Sequence, residues 1–117
     1  MHFIHEFGFD AKEGKSQEFQ KWLVDNEEKL ALECPAGCKY DGTYAAIQTT
    51  DKTAGSFRTV FRLENYAAQD AFSAAMKEGG TFGRLMEELT EFIDQANHSN
   101  WSQALLRRAT DAAIWGE

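Results

Sequence analysis

The apolar positions along this chain change period several times, and each change marks a new element. From His2 to Phe9 they alternate. Phe3, Phe7 and Phe9 fall on odd positions with His5 among them, and Ile4, Glu6 and Gly8 fall on even ones. Successive side chains of a strand point to opposite faces, so this stretch reads as a strand with one aromatic face and one mixed face. Apolar groups on both faces place it inside a sheet that is covered on both sides.

The period then becomes helical. Asp10-Ala11-Lys12-Glu13 has capping-box spacing with an acidic first residue. Phe19, Trp22, Leu23, Asn26 and Leu30 recur on one helical stripe, which predicts a helix over 11–33, firming up near Ser16 because Gly14 weakens the first turn. Pro35 and Gly37 end it. Alternation returns over 39–50, placing Tyr40, Gly42, Tyr44 and Ala46 on one face. It returns again over 56–63, with Phe57, Thr59, Phe61 and Leu63 opposite Arg58, Val60 and Arg62. The Gly55-containing turn between them makes a hairpin. Asn65 caps a predicted helix over 66–78, Gly79-Gly80 breaks it, and a third helix over 82–96 carries Phe82, Leu85, Met86, Leu89, Phe92, Ile93 and Ala96 on one stripe. Residues 101–109 suit a fourth strand.

The resulting order, β-α-β-β-α-β with the second helix split, is that of the ferredoxin-like split βαβ motif. It predicts one α+β domain: a four-stranded antiparallel sheet, order 4-1-3-2, with helices on one face and the first strand central. In element order, element lengths and apolar strands the chain resembles the dimeric α+β barrel superfamily, which pairs two such sheets face to face. That superfamily includes small cofactor-free monooxygenases, haem-degrading enzymes, isomerase-like proteins and stress-responsive barrels. The resemblance implies a homodimer with a cleft. It assigns no catalytic residue, since fold analogy carries no activity.

Composition narrows the partners. The chain has 117 residues and a net charge of −7, enough for one core and without the Lys/Arg surplus of nucleic-acid binding or docking on anionic lipid. No apolar run approaches a membrane span, and no basic region followed by an apolar block marks a signal peptide. The cytoplasm is the default compartment. Cys34 and Cys38 flank the Pro35–Gly37 turn and read as small buried thiols, with a redox or metal pair as the alternative. His2 and His5 point to opposite sides of a strand, so they do not chelate one ion together, and no metal or other cofactor is expected.

Two candidate sites follow from the strand faces. On the even face, Glu6 lies near Val60 and diagonal to Arg58 and Arg62. These charges form either an ion pair at a dimer interface or on a wet face, or a pocket lined by Ile4 and Val60 whose arginine fork holds a carboxylate, enolate or phenolate. Tyr40 and Tyr44 would add hydroxyls if they share that face. On the odd face His5 is either a neutral core histidine or a base facing a cavity. His5, Glu6 and Arg62 are the candidate catalytic residues. The leading functional reading is a homodimer binding a small apolar or amphipathic acid. The alternative is a cofactor-free monooxygenase-like or isomerase-like enzyme. Ile114 and Trp115 are expected to dock on the partner subunit.

Overall fold

The structure is a computed structural model, and it describes residues 3–50, 55–94 and 102–110. His2, His98, Trp101, Ile114 and Trp115 lie outside the described residues. In chain order the elements are β1 (Phe3–Phe9), α1 (Ser16–Glu33), β2 (Cys38–Ala45), β3 (Phe57–Leu63), α2 (Ala68–Lys77), α3 (Thr81–Glu91) and β4 (Ser102–Arg107). The sheet order is β2-β3-β1-β4, all pairs antiparallel, so β1 is central and the order is the one predicted.

Alternation along β1 and β3 sorts the side chains as the sequence requires. Phe3, His5, Phe7 and Phe9 pair with Leu63, Phe61, Thr59 and Phe57 on the face the helices cover. The α1 stripe buries Phe19 and Leu30 completely, with Trp22 and Leu23 packed beside them. From α3, Phe82, Leu85, Met86 and Leu89 complete the core, with Phe72 from α2. Trp22 keeps its one polar group satisfied by donating to Glu88 on α3 at 3.0 Å. Among the described residues, no helix is long and apolar enough to cross a membrane.

Four boundaries fall inside the outer limits of the periodic reading. The first helix starts at Ser16, where the weak turn at Gly14 predicts that it firms up, and residues 10–12 ahead of it pair with 92–94: Lys12 N–H donates to the Phe92 carbonyl and Asp94 N–H to that of Asp10, both at 2.8 Å. Asp10 is thereby taken from the cap, and its carboxylate accepts from Ser56 N–H at 2.7 Å. The same pairing stops α3 at Glu91, although its apolar stripe runs on through Phe92 and Ile93. The Asn65 cap is present, its side chain accepting from Ala68 N–H at 2.9 Å. The turn it opens has i to i+3 bonds, so α2 itself begins at Ala68. Finally, β2 ends at Ala45, opposite Phe57, where its partner strand begins.

The largest change of side-chain placement is in β2. Tyr40 pairs with Phe61 but Gly42 with Val60, so Asp41 is an extra residue and the strand bulges there. Gly42 sits at φ +148°, a conformation side chains disfavour. The bulge resets the alternation and puts Tyr40 and Tyr44 on opposite faces, against the expectation that they share one. Tyr40 is buried toward α1. It donates to Glu27 at 2.8 Å and lies 2.7 Å from the Thr43 hydroxyl, which in turn is 3.0 Å from that of buried Thr59. Burial, more than its polar neighbours, holds the Tyr40 phenol above its ordinary range. Tyr44 is exposed and donates to Asp41 at 3.0 Å.

The α2–α3 corner rests on Gly83. A Cβ added there would lie 3.0 Å from the Ala75 carbonyl oxygen and 3.2 Å from that of Met76, backbone atoms that cannot swing away. Gly83→Ala is expected to cost about 1–3 kcal/mol, read as a lower urea midpoint. Gly80→Ala, at the N-cap of α3 with nothing within 4 Å of its added carbon, should cost less, no more than about 1 kcal/mol. Equal midpoints for the two variants would show that the helices separate freely.

Candidate functional site

The helices do not fill the covered face evenly. Over β1 and β4 they leave a cavity of about 490 Å³ between the sheet and α2 and α3, within the roughly 300–1,000 Å³ of small-ligand pockets. Its floor is Phe61, Phe72, Met86 and Ile93, all buried. Its rim is Ser73, Met76 and Gln103, all exposed. The wall between them includes Phe7, His5, Gln69 and Thr90. The sequence places these groups locally by two rules. Gln69, Ser73 and Met76 share one side of α2, and Met86 and Thr90 share one side of α3, at spacings of three and four residues. His5, Phe7, Phe61 and Gln103 share one face of the sheet.

His5 is the titratable group of this wall. Its ring centre lies 5.4 Å from that of Phe72 and 6.5 Å from that of Phe61. Its Nδ1 is buried and has no hydrogen-bond partner among the described residues, and the same holds for Gln69 Oε1. Desolvation by this apolar wall lowers the His5 pKa from its ordinary value, so the imidazole is neutral at pH 7. A depressed histidine pKa means that the unfolded chain takes up the proton first. Its contribution to stability is complete above the unfolded value of 6.5 and is lost as pH falls through the folded value. His5→Phe should therefore flatten the part of the stability–pH profile that falls away below pH 6.5. An unchanged slope there would mean that the imidazole is charged or solvated in the folded chain.

The other candidate residues come together on the uncovered face. Ile4 pairs with Arg62, Glu6 with Val60 and Gly8 with Arg58, with Leu106, Ala104 and Ser102 alongside on β4. Arg58 Nη1 donates to Glu6 at 3.2 Å, the diagonal contact expected from the strand register. Its Nε and Nη2 are buried without partners among the described residues. Arg62 turns away from Glu6, because the bulge brings Asp41 to it: Nε donates to Asp41 at 3.1 Å. That hydrogen bond is the main reason the Asp41 carboxyl is held below its ordinary range. The two arginines thus serve two carboxylates rather than forming one fork. Tyr44 stands on this face beside Arg58, and Tyr40 does not. Arg107 lies on the covered face, over the Phe3 ring at 5.2 Å.

Two cysteines complete the inventory of reactive groups. Cys34 packs against the Leu30–Phe61 cluster, and burial, with Cys38 as a lesser cause, pushes its thiol up to about 12. Cys38 lies 3.6 Å from the Ala68 carbonyl, and its pKa is also raised, chiefly by burial and then by Glu64. Both are free thiols of low nucleophilicity.

Sequence reasoning picked out His5 but missed Gln69, Ser73, Thr90 and Gln103. The available signal was polar residues inside otherwise apolar stripes: Gln69 and Ser73 flanking Phe72, and Thr90 between Leu89 and Ile93.

No protein-family model and no curated protein matches the chain. Solved structures do. An uncharacterized NIPSNAP domain protein from Burkholderia xenovorans superposes with a TM-score of 0.66 at 12% identity, over 93% of this chain and 96% of that one. A NIPSNAP family protein from Agrobacterium tumefaciens gives 0.63 at 12% identity, over 96% and 90%. A conserved protein from Methanosarcina mazei Go1 gives 0.58 at 19% identity, over 92% and 94%. The likeness covers the whole α+β sheet-and-helix arrangement, and what it shows of this chain is that fold.

Proposed function

We propose that the chain is a homodimeric small-molecule-binding domain. Each subunit would hold its ligand in the cavity beneath α2 and α3, and two subunits would pair through their uncovered sheet faces. The observation that carries the ligand half is the cavity itself, with a buried apolar floor, an open rim and unpaired polar atoms at its wall. The dimer half is supported by the uncovered face. It presents half-buried Ile4 and Val60, exposed Leu106, and an arginine with two buried donors left unpaired. Buried donors are costly to leave unmade, and acceptors on a second sheet would satisfy them.

A second reading is favoured by one feature. A neutral imidazole in an apolar wall is a competent general base. His5 would then take a proton from a bound substrate, and the same cavity would serve a cofactor-free enzyme.

Native mass spectrometry of the full chain tests the proposal. The expected species has twice the chain mass and carries a small co-purifying adduct. Leu106→Glu adds a charge within the proposed interface, on edge strand β4, and should convert the protein to a monomer that keeps the adduct. A variant that stays dimeric places the interface elsewhere. A wild-type monomer without adduct under conditions that preserve weak complexes contradicts both halves.

A further inference from the structure

We infer that the cavity takes an uncharged molecule that donates a hydrogen bond, a phenol or small alcohol, and rejects a carboxylate of the same shape. The inference rests on reading the cavity as the ligand site. Every polar side chain that lines it is uncharged: His5, Gln69, Ser73, Thr90 and Gln103. No lysine or arginine is among the lining residues, so an anion entering here would lose its water and meet no cation. Arg58 and Arg62 lie on the opposite face of the sheet, where they already serve Glu6 and Asp41, and Arg107, on the covered face, stands over the Phe3 ring and does not line the cavity.

Of the two buried polar atoms of the cavity wall without partners, Gln69 Oε1 favours a donor, and His5 Nδ1 does so in its Nε2–H tautomer. Gln69 Oε1 is a carbonyl oxygen and only accepts. Neutral His5 accepts at one ring nitrogen, and its burial among Phe61 and Phe72 keeps it neutral. A hydroxyl that donates to either atom makes a bond that is otherwise unmade. An apolar or purely accepting molecule of the same size fills the volume and leaves the Gln69 oxygen unpaired, the situation in which a polar site discriminates most strongly. The buried rings of Phe61 and Phe72 and the thioether of Met86 make the rest of the site suited to an aromatic or alicyclic body.

Calorimetric titration of the full chain with phenol, anisole and benzoate tests this directly. Phenol should bind about tenfold more tightly than anisole, which accepts but cannot donate, and benzoate should give no heat. His5→Phe and Gln69→Met each remove one acceptor, and at least one should bring phenol down to the affinity of anisole measured on the same variant. Ser73→Trp, at an exposed rim position, should block both. Should His5→Phe fail to fold, Gln69→Met and Ser73→Trp on the surface of α2 carry the test. Equal binding of phenol and anisole overturns the inference and leaves the cavity as an apolar ligand site. Benzoate binding that Arg58→Met abolishes also overturns it, moving the ligand to the opposite face as an acid. No binding of any of the three at millimolar concentration overturns the inference together with the reading of the cavity as a ligand site.

Discussion

Phe61→Ala is expected to destabilise the chain by about 3–5 kcal/mol, a large share of the roughly 5–15 kcal/mol that holds a domain folded. Phe61 is 1% exposed and sits where the sheet meets α2 and α3. Its ring is 4.8 Å from Phe72, 5.4 Å from Tyr40 and 6.1 Å from Phe82. The sheet, α2 and α3 therefore all lose a partner at once. Phe61 is also part of the cavity floor, so the space vacated joins a space already there, and collapse cannot refill it cheaply. Phe61→Leu, which keeps most of the volume, should cost markedly less. Urea unfolding of both variants gives the comparison, and a loss under about 1 kcal/mol for Phe61→Ala would contradict this account of the core.

Phe19→Ala should have an effect of the same size, about 3–5 kcal/mol, through the other end of the sheet. Phe19 is the fully buried anchor of α1, with its ring 5.1 Å from Phe57 and 5.5 Å from both Phe9 and Phe92. It holds α1 to β1, β3 and the segment after α3 together. Leu32→Ala, on the same helix but 78% exposed, should change stability by no more than about 0.5 kcal/mol. Parallel urea titrations distinguish them. Similar costs at Phe19 and Leu32 would mean that α1 packs by a different stripe from the one described.

That stripe is legible in the sequence, because a helix buries one face and Phe19, Trp22, Leu23 and Leu30 fall on it. The strand faces of β1 and β3 were legible for the matching reason, with a period of two and no interruption. What could not be read were the places where one segment takes hydrogen bonds from another far along the chain. Nothing local announces that residues 10–12 will pair with 92–94, so the capping-box spacing at Asp10 and the apolar run through Ile93 both pointed past the real helix ends. The bulge at Asp41 is of the same kind. One extra residue reverses every later side chain of the strand, and that is why Tyr40 and Tyr44 part company.

The site was legible only in pieces. Glu6, Arg58, Val60 and Arg62 do share a face with Ile4, as strand register requires. The partner of Arg62, however, is Asp41, delivered by the bulge. The cavity is a tertiary feature with no linear signature. It exists because α2 and α3, meeting at Gly83, stand over β1 and β4 without closing on them, and it joins residues as distant as His5, Gln69 and Gln103. Periodicity shows which face each of these residues occupies. It does not show how much space the helices leave.

The most direct test of the central claim is methyl-labelled NMR of the full chain during a phenol titration. Two of the three methionines line the cavity, and Ile93 lies in its floor, whereas Ile4, Val60 and Leu106 report on the opposite face of the same sheet. The account predicts that the methyl signals of Met76, Met86 and Ile93 shift together and saturate with one affinity while those of Ile4, Val60 and Leu106 stay in place. Saturable shifts at Ile4, Val60 and Leu106 with Met86 and Ile93 unmoved would contradict it and put the ligand against the open sheet.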